Sequence, residues 1–153
     1  VQVVPGGAER GDSVLAGVRW LPEACDVVLV HDAARAFAPS EVFERVAAAV
    51  TEAVPAVVPV LPVVDTVKVV DAEGFVVSTP DRAALRVVQT PQGFRRDVLL
   101  AAHAAHGSLA TDDAGLVELL GLRVGTVPGD PAAYKITSPA DLAHAERLVD
   151  HRG

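Results

Sequence analysis

Methionine is absent from this sequence of 153 residues, and cysteine occurs once, as Cys25. One thiol excludes an internal disulfide and any zinc site built from cysteines. Basic charge is scarce: 13 lysines and arginines stand against 20 acids, for a net charge of −7 and a pI near 5.1. General nucleic-acid binding through a basic face is therefore not expected, although a small basic pocket within an acidic protein remains compatible with these numbers. Long apolar runs are also missing. Mean hydropathy is +0.34, yet prolines and charges interrupt every stretch before the about 20 residues that a membrane-spanning helix needs. No signal-peptide pattern opens the chain, and the expectation is a soluble, cytoplasmic protein. What remains is half hydrophobic and 22% charged, enough for one ordinary domain with its own core. Lysine is rare among the basic residues, so Lys68 and Lys135 stand out.

Apolar runs alternate with helical patterns, the signature of a layered α/β fold. Gln2–Val4, Val27–Val30, Ala56–Val60 and Val124–Val127 read as strands. Helical spacing predicts helices over Ser13–Trp20, from Pro39-Ser40 to about Val50, over Arg96–His106, and from Asp112 or Asp113 to Leu120. Gly107 and Gly121 supply stops, and Ser138-Pro139-Ala140-Asp141 is a helix start with Ser as N-cap. Val67–Val70, Asp71–Gly74 and Phe75–Val77 predict a β-hairpin with glycine in its turn. Two such short strands need something to pack against, such as another subunit. No repeat, low-complexity tract or linker divides the chain, so residues 1–153 form one domain with a protruding β-arm at about 62–86.

Several segments carry groups suited to chemistry. His31-Asp32-Ala33-Ala34-Arg35 follows a predicted strand, and ligands of open α/β sheets bind beyond strand carboxyl ends. Asp32 there suits Mg²⁺, and Arg35 could fork onto a phosphate. A turn cap with an ion-pair partner reads equally well, and His31 reads as structural. Gly6 to Ser13 joins a strand to a helix whose N-terminus offers N–H groups to an anion, or is a plain turn. Gln89-Thr90-Pro91-Gln92-Gly93 reads as a proline-fixed turn flanked by Arg82, Arg86, Arg95 and Arg96. Its amides, hydroxyl and guanidinium groups suit a phosphorylated polyol. Thr111-Asp112-Asp113 reads chiefly as a helix cap, and Lys135 can set a compact charge against a transferring phosphoryl group. His103 and His106 lack a third metal ligand.

Six of these pieces occur in the order of one family. They are residues 6–14 (Gly-Gly-Ala-Glu-Arg-Gly-Asp-Ser-Val), 30–35 (Val-His-Asp-Ala-Ala-Arg) and 62–68 (Pro-Val-Val-Asp-Thr-Val-Lys), then 89–94 (Gln-Thr-Pro-Gln-Gly-Phe), 111–114 (Thr-Asp-Asp-Ala) and the 129–137 segment with Lys-Ile-Thr. The chain resembles the 2-C-methyl-D-erythritol 4-phosphate cytidylyltransferases over almost its whole length. The resemblance implies a three-layer, Rossmann-like nucleotidyltransferase domain with a protruding β-hairpin arm, and a homodimer clasped through that arm. It implies cytidylyl transfer from CTP to methylerythritol phosphate with release of pyrophosphate, aided by Mg²⁺ on Asp32, in the non-mevalonate route to isoprenoids. By motif position Asp32, Arg82 and Lys135 are the catalytic residues. Gly7, Ser13, Ala33 and Arg35 fall at the nucleotide, and Thr66, Arg82, Thr90, Thr111 and Lys135 at the acceptor.

The chain departs from the family pattern in places. The glycine-rich loop and following lysine that grip the triphosphate are missing, Ala8 replaces an acidic residue and Ala36 a proline. The expectation is an N-terminally truncated chain with little or no transferase activity by itself and lowered stability. Two other readings share these residues: a ribitol 5-phosphate cytidylyltransferase, and a non-catalytic dimerising module.

Overall fold

The computed structural model describes residues 1–107 and 109–150. Five strands form one open mixed sheet: β1 (Val27–Val30), β2 (Ala56–Pro62), β5 (Arg86–Val88), β6 (Gln92–Arg95) and β7 (Val124–Pro128). β6 lies between β1 and β2 and runs antiparallel to both, whereas β7 runs parallel to β2. A separate antiparallel hairpin, β3 (Val69–Val70) and β4 (Val76–Ser78), projects from this core.

Alternation along the strands makes two cores, one on each face. Val28, Ala56, Val58 and Phe94 point to the first, where they meet Val18 of α1 (Arg10–Trp20), Leu99 and Ala102 of α3 (Arg96–His106) and Leu116 and Val117 of α4 (Asp113–Leu119). Val57, with Leu29 and Val127, points to the other face against Val42, Val46 and Val50 of α2 (Ser40–Ala49) and its C-cap. Helix, sheet and helix thus form three layers, as expected for a Rossmann-like fold. Phe94 is fully buried, worth about 1.5–3 kcal/mol of apolar transfer. Gly93 beside it has no room for a side chain: a Cβ would lie 2.6 Å from Val46 Cγ1, so glycine is what lets α2 approach β6.

Four expectations need correction. Gln2–Val4 pairs with no strand among the described residues; its side chains are mostly exposed and no neighbour offers a ladder. α1 begins at Arg10 rather than Ser13, with Glu9 as N-cap and the Asp12 carboxylate accepting from the Glu9 N–H at 3.2 Å. The continuous Val/Leu run of β1 predicts a strand buried on both faces, but Val27 is exposed and only Val28 is fully covered. The proline-fixed turn expected at Gln89-Thr90-Pro91-Gln92-Gly93 lies inside a longer ordered segment, Arg86–Arg95. That segment is an interrupted strand, β5 then β6, with Gln92, Gly93 and Phe94 buried in the sheet.

The interruption matters. Val57 faces Gly93 and Val60 faces Val88, so Val58 and Pro59 of β2 stand opposite four residues, Gln89 to Gln92. Such a bulge re-aims side chains that a regular strand would alternate between faces. The Thr90–Pro91 peptide within it is cis. Pro59 has no N–H to give, but its carbonyl accepts from Gln89 N at 2.8 Å. The remaining elements match expectation closely. Gly74, Gly107 and Gly121 all have positive φ where the hairpin, α3 and α4 turn or end. α5 (Pro139–Asp150) opens on the predicted cap.

Candidate active site

Several of the chemistry-bearing segments converge on one open cavity of about 500 Å³ at the carboxyl end of β1 and beside the β5–β6 bulge. Asp32 and Arg35 enter from the loop after β1, Thr90 from the bulge, Thr111 from the approach to α4, and Lys135 from the segment after β7. A larger recess of about 590 Å³ lies around Cys25, Asp26 and the β6–α3 junction, and it contains none of those five residues.

Asp32 is the hub. Its Oδ2 lies 3.1 Å from Lys135 Nζ and 3.7 Å from Arg35 Nε. Its backbone N–H donates to Thr90 Oγ1 at 3.0 Å, which ties the β1 loop to the bulge. His31 Nε2 lies 3.3 Å from the Arg35 carbonyl, which can only accept, so that nitrogen carries the proton. Nδ1 is left to accept from the Thr90 hydroxyl at 3.0 Å. The structural reading of His31 holds: it is a satisfied histidine that orients Thr90. Arg35 Nη1 donates to the Ala133 carbonyl at 2.7 Å, and Ile136 N donates to the Ala34 carbonyl at 2.8 Å. The loop carrying Asp32 and the loop carrying Lys135 are therefore locked together, and Ala33 lies within this lock.

Gln89 reinforces it. Its amide nitrogen donates to the Asp130 carbonyl at 2.9 Å while its oxygen accepts from Asp130 N at 3.0 Å. Gln92 donates to Asp112 Oδ2 at 2.8 Å, and its own buried Oε1 has no partner. Asp112 caps α4 through Gly115 N at 2.9 Å, so the capping reading of that residue was sound. It also faces the cavity, which sequence patterning did not indicate.

Sequence reasoning missed a further feature. Arg10, in the first turn of α1, also lines the cavity and donates to Asp113 Oδ2 at 2.6 Å. The other oxygen of Asp113 meets His103 Nε2 at 2.8 Å, and both side chains of that pair are almost wholly buried. Partial burial works against the charge on Arg10, but the hydrogen bond to Asp113 and the carboxylates of Asp113, Asp32 and Asp112 outweigh it and raise its pKa. The only sequence clue was that Asp113 follows the capping Asp112 and so could turn inward.

Not every expected site residue reaches the cavity. Gly7 and Ser13 sit together at the start of α1, with Gly7 N donating to Ser13 Oγ at 3.1 Å. Ser13 lines a separate, mostly apolar cleft of about 300 Å³ between α1 and β1, which His31 also lines. Thr66 and Arg82 belong to the arm; Arg82 Nη1 donates to the Val64 carbonyl at 2.6 Å, and neither lines the cavity.

A metal cage made of protein alone is not present among the described residues, which hold no cluster of three or more His, Cys, Asp or Glu placed for one. Mg²⁺ does not require such a cage, since one or two carboxylates with phosphate oxygens and waters suffice. Asp32, which is partly exposed to the cavity, fits that mode. No described helix is long and apolar enough to cross a membrane.

Comparison with known proteins points the same way. The family model for IspD, 2-C-methyl-D-erythritol 4-phosphate cytidylyltransferase, matches residues 1–151. The chain is 60% identical over 153 residues to the protein of that name from Saccharopolyspora erythraea, covering 97% of this chain and 68% of the relative. It is 58% identical to the one from Frankia casuarinae, covering 97% of this chain and 56% of the relative. The chain thus spans between 56% and 68% of the length of these two curated relatives. The crystal structure of the Thermus thermophilus cytidylyltransferase superposes with a TM-score of 0.84 at 42% identity, over 95% of this chain and 71% of that one. The Anaerococcus prevotii 4-diphosphocytidyl-2C-methyl-D-erythritol synthase gives 0.87 at 31% identity, over 96% and 69%. With family model, relatives and solved structures agreeing, the chain belongs to the 2-C-methyl-D-erythritol 4-phosphate cytidylyltransferase family.

Proposed function

We propose that this chain supplies the acceptor- and phosphate-binding part of an enzyme that transfers a cytidylyl group from CTP to 2-C-methyl-D-erythritol 4-phosphate. An oxygen of the acceptor phosphate attacks the α-phosphorus of CTP, the new P–O bond forms, and the bond to the β-phosphate breaks to release pyrophosphate. Such a transfer needs alignment and charge neutralisation far more than acid–base chemistry. The observation that carries the reading is the convergence of Asp32, Arg35 and Lys135 at one strand-end cavity.

In this reading Lys135 and Arg35 neutralise and align the reacting phosphates. Thr90, held by His31, and Thr111 give the acceptor its hydrogen bonds, and Asp32 is the residue that would hold Mg²⁺. That ion, when bound, adds charge neutralisation at the phosphate oxygens. Gly7, Ser13 and Ala33 belong to the nucleotide end. Thr66 and Arg82 sit on the arm at about 62–86 and serve the cavity of a second copy, in a homodimer clasped through that arm.

The test is pyrophosphate release from CTP with methylerythritol phosphate and Mg²⁺. It is run on this chain joined to the portion of the Saccharopolyspora protein that the match leaves uncovered. Turnover with methylerythritol phosphate but not ribitol 5-phosphate is expected. Turnover only with ribitol 5-phosphate, or with neither, would overturn the assignment.

A further inference from the structure

Arg10 lies outside every role given above, yet its surroundings are built with unusual care. Asp113 is wholly buried, and an isolated buried carboxylate is costly to bury. Here one oxygen meets His103 at 2.8 Å and the other meets Arg10 at 2.6 Å, so α3, α4 and α1 each contribute one member. A purely internal clamp would enclose all three groups. Instead the Arg10 side chain stays 44% exposed while its two partners are closed off. A guanidinium has five N–H donors, and the anchor to Asp113 uses only Nη2.

Arg10 lines the same cavity as Asp32, Lys135, Thr111 and Asp112, and also a smaller cleft of about 150 Å³ that its partners Asp113 and His103 line. The other two cations there are partly spent: Lys135 is paired to Asp32, and Arg35 is tied to Asp32 and to the Ala133 carbonyl. Arg10 is anchored at its rear by a carboxylate outside the cavity and keeps donors free in front. A guanidinium with a fixed orientation is the donor set that planar, forked recognition of phosphate uses.

We infer that Arg10 is a phosphate-binding residue of this site, held toward the ligand by the buried Asp113–His103 pair. The inference rests on the cytidylyltransferase reading and extends it by one contact. The bound group is a phosphate oxyanion, and it belongs either to the nucleotide or to the acceptor.

Calorimetric titration distinguishes these sources, with pyrophosphate standing for the nucleotide end and methylerythritol phosphate for the acceptor. Arg10→Gln should weaken at least one of the two probes about tenfold or more, the loss typical of a charge-assisted hydrogen bond. Arg10→Lys should recover part of that affinity, and Arg19→Gln, which removes an equal charge from the far end of α1, should change neither probe. The probe that weakens names the phosphate. Trp20 fluorescence checks that each variant keeps its fold. Unchanged affinity for both probes in Arg10→Gln, or an equal loss in Arg19→Gln, would overturn the assignment while leaving the family reading intact. If the unaltered chain binds neither probe, the cavity does not bind phosphate and the inference fails with it.

Discussion

At the scale of single residues, the site depends on groups whose partners are far away in sequence. Asp32 could be flagged from its place after a strand, but its meeting with Lys135 and Thr90 could not be read from spacing. Arg10 and Asp113 are 103 positions apart, and no local pattern links them. Local rules worked where the partners were local. Asp141 is such a case: its carboxylate accepts from Thr137 N and from the N–H and hydroxyl of Ser138 at 2.8–3.0 Å, besides the Thr137 hydroxyl at 3.2 Å. These bonds, the Thr137 backbone bond first, hold its pKa near 2 against an ordinary 3.8. A carboxylate depressed on folding favours the folded state above the unfolded pKa, and that contribution fades as pH falls toward the folded one. The cap of α5 should therefore persist at pH 4 and be lost between about pH 4 and pH 2. Carboxyl-detected NMR titration should find Asp141 with a midpoint near 2; a midpoint near 3.8 would show that the cap bonds do not form in solution.

Among elements, periodicity identified the helices and the apolar strands because burial on one face repeats at 3.6 or at 2 residues. It failed on β5 and β6. Pro91 and Gly93 are residue types of turns, yet in this chain Pro91 sits in a bulge that turns Gln89 and Thr90 inward, and Gly93 pairs with Val57 in the sheet. Gly93 looks like a loop glycine in sequence but is required by the contact of β6 with α2. The hairpin β3–β4 was legible through Asp71 and Gly74, and its turn forms as expected, with Phe75 N donating to Asp71 Oδ1 at 2.8 Å. Its apolar side chains, however, are not covered by any of the described residues: Phe75 is 71% exposed and Val77 64%. Two isolated strands are marginal in water, so the arm should be ordered by a second copy. Sedimentation is expected to find a dimer, and Phe75→Ser combined with Val77→Ser should shift it to monomer with the cavity residues undisturbed. An unaltered chain that stays monomeric would count against the clasp.

For the molecule as a whole, the three layers were legible in the alternation of apolar runs and helices, but the sheet order was not. The pairing of β6 between β1 and β2 joins distant segments and is what places Thr90 against the loop of Asp32. The six motif segments are spread from one end of the chain to the other, yet all but the arm segment, 62–68, contribute residues to one cavity.

In the proposed function this cavity holds the acceptor's phosphate against Lys135. Isothermal titration of methylerythritol phosphate into the chain and into Lys135→Gln distinguishes the outcomes. Lys135 is half exposed and, among the described residues, its ion pair is with Asp32, so the substitution should leave the fold intact. Saturable binding to the unaltered chain and a loss of about tenfold or more in the variant are expected. Equal affinity in the two proteins, or no binding to either, would contradict that function.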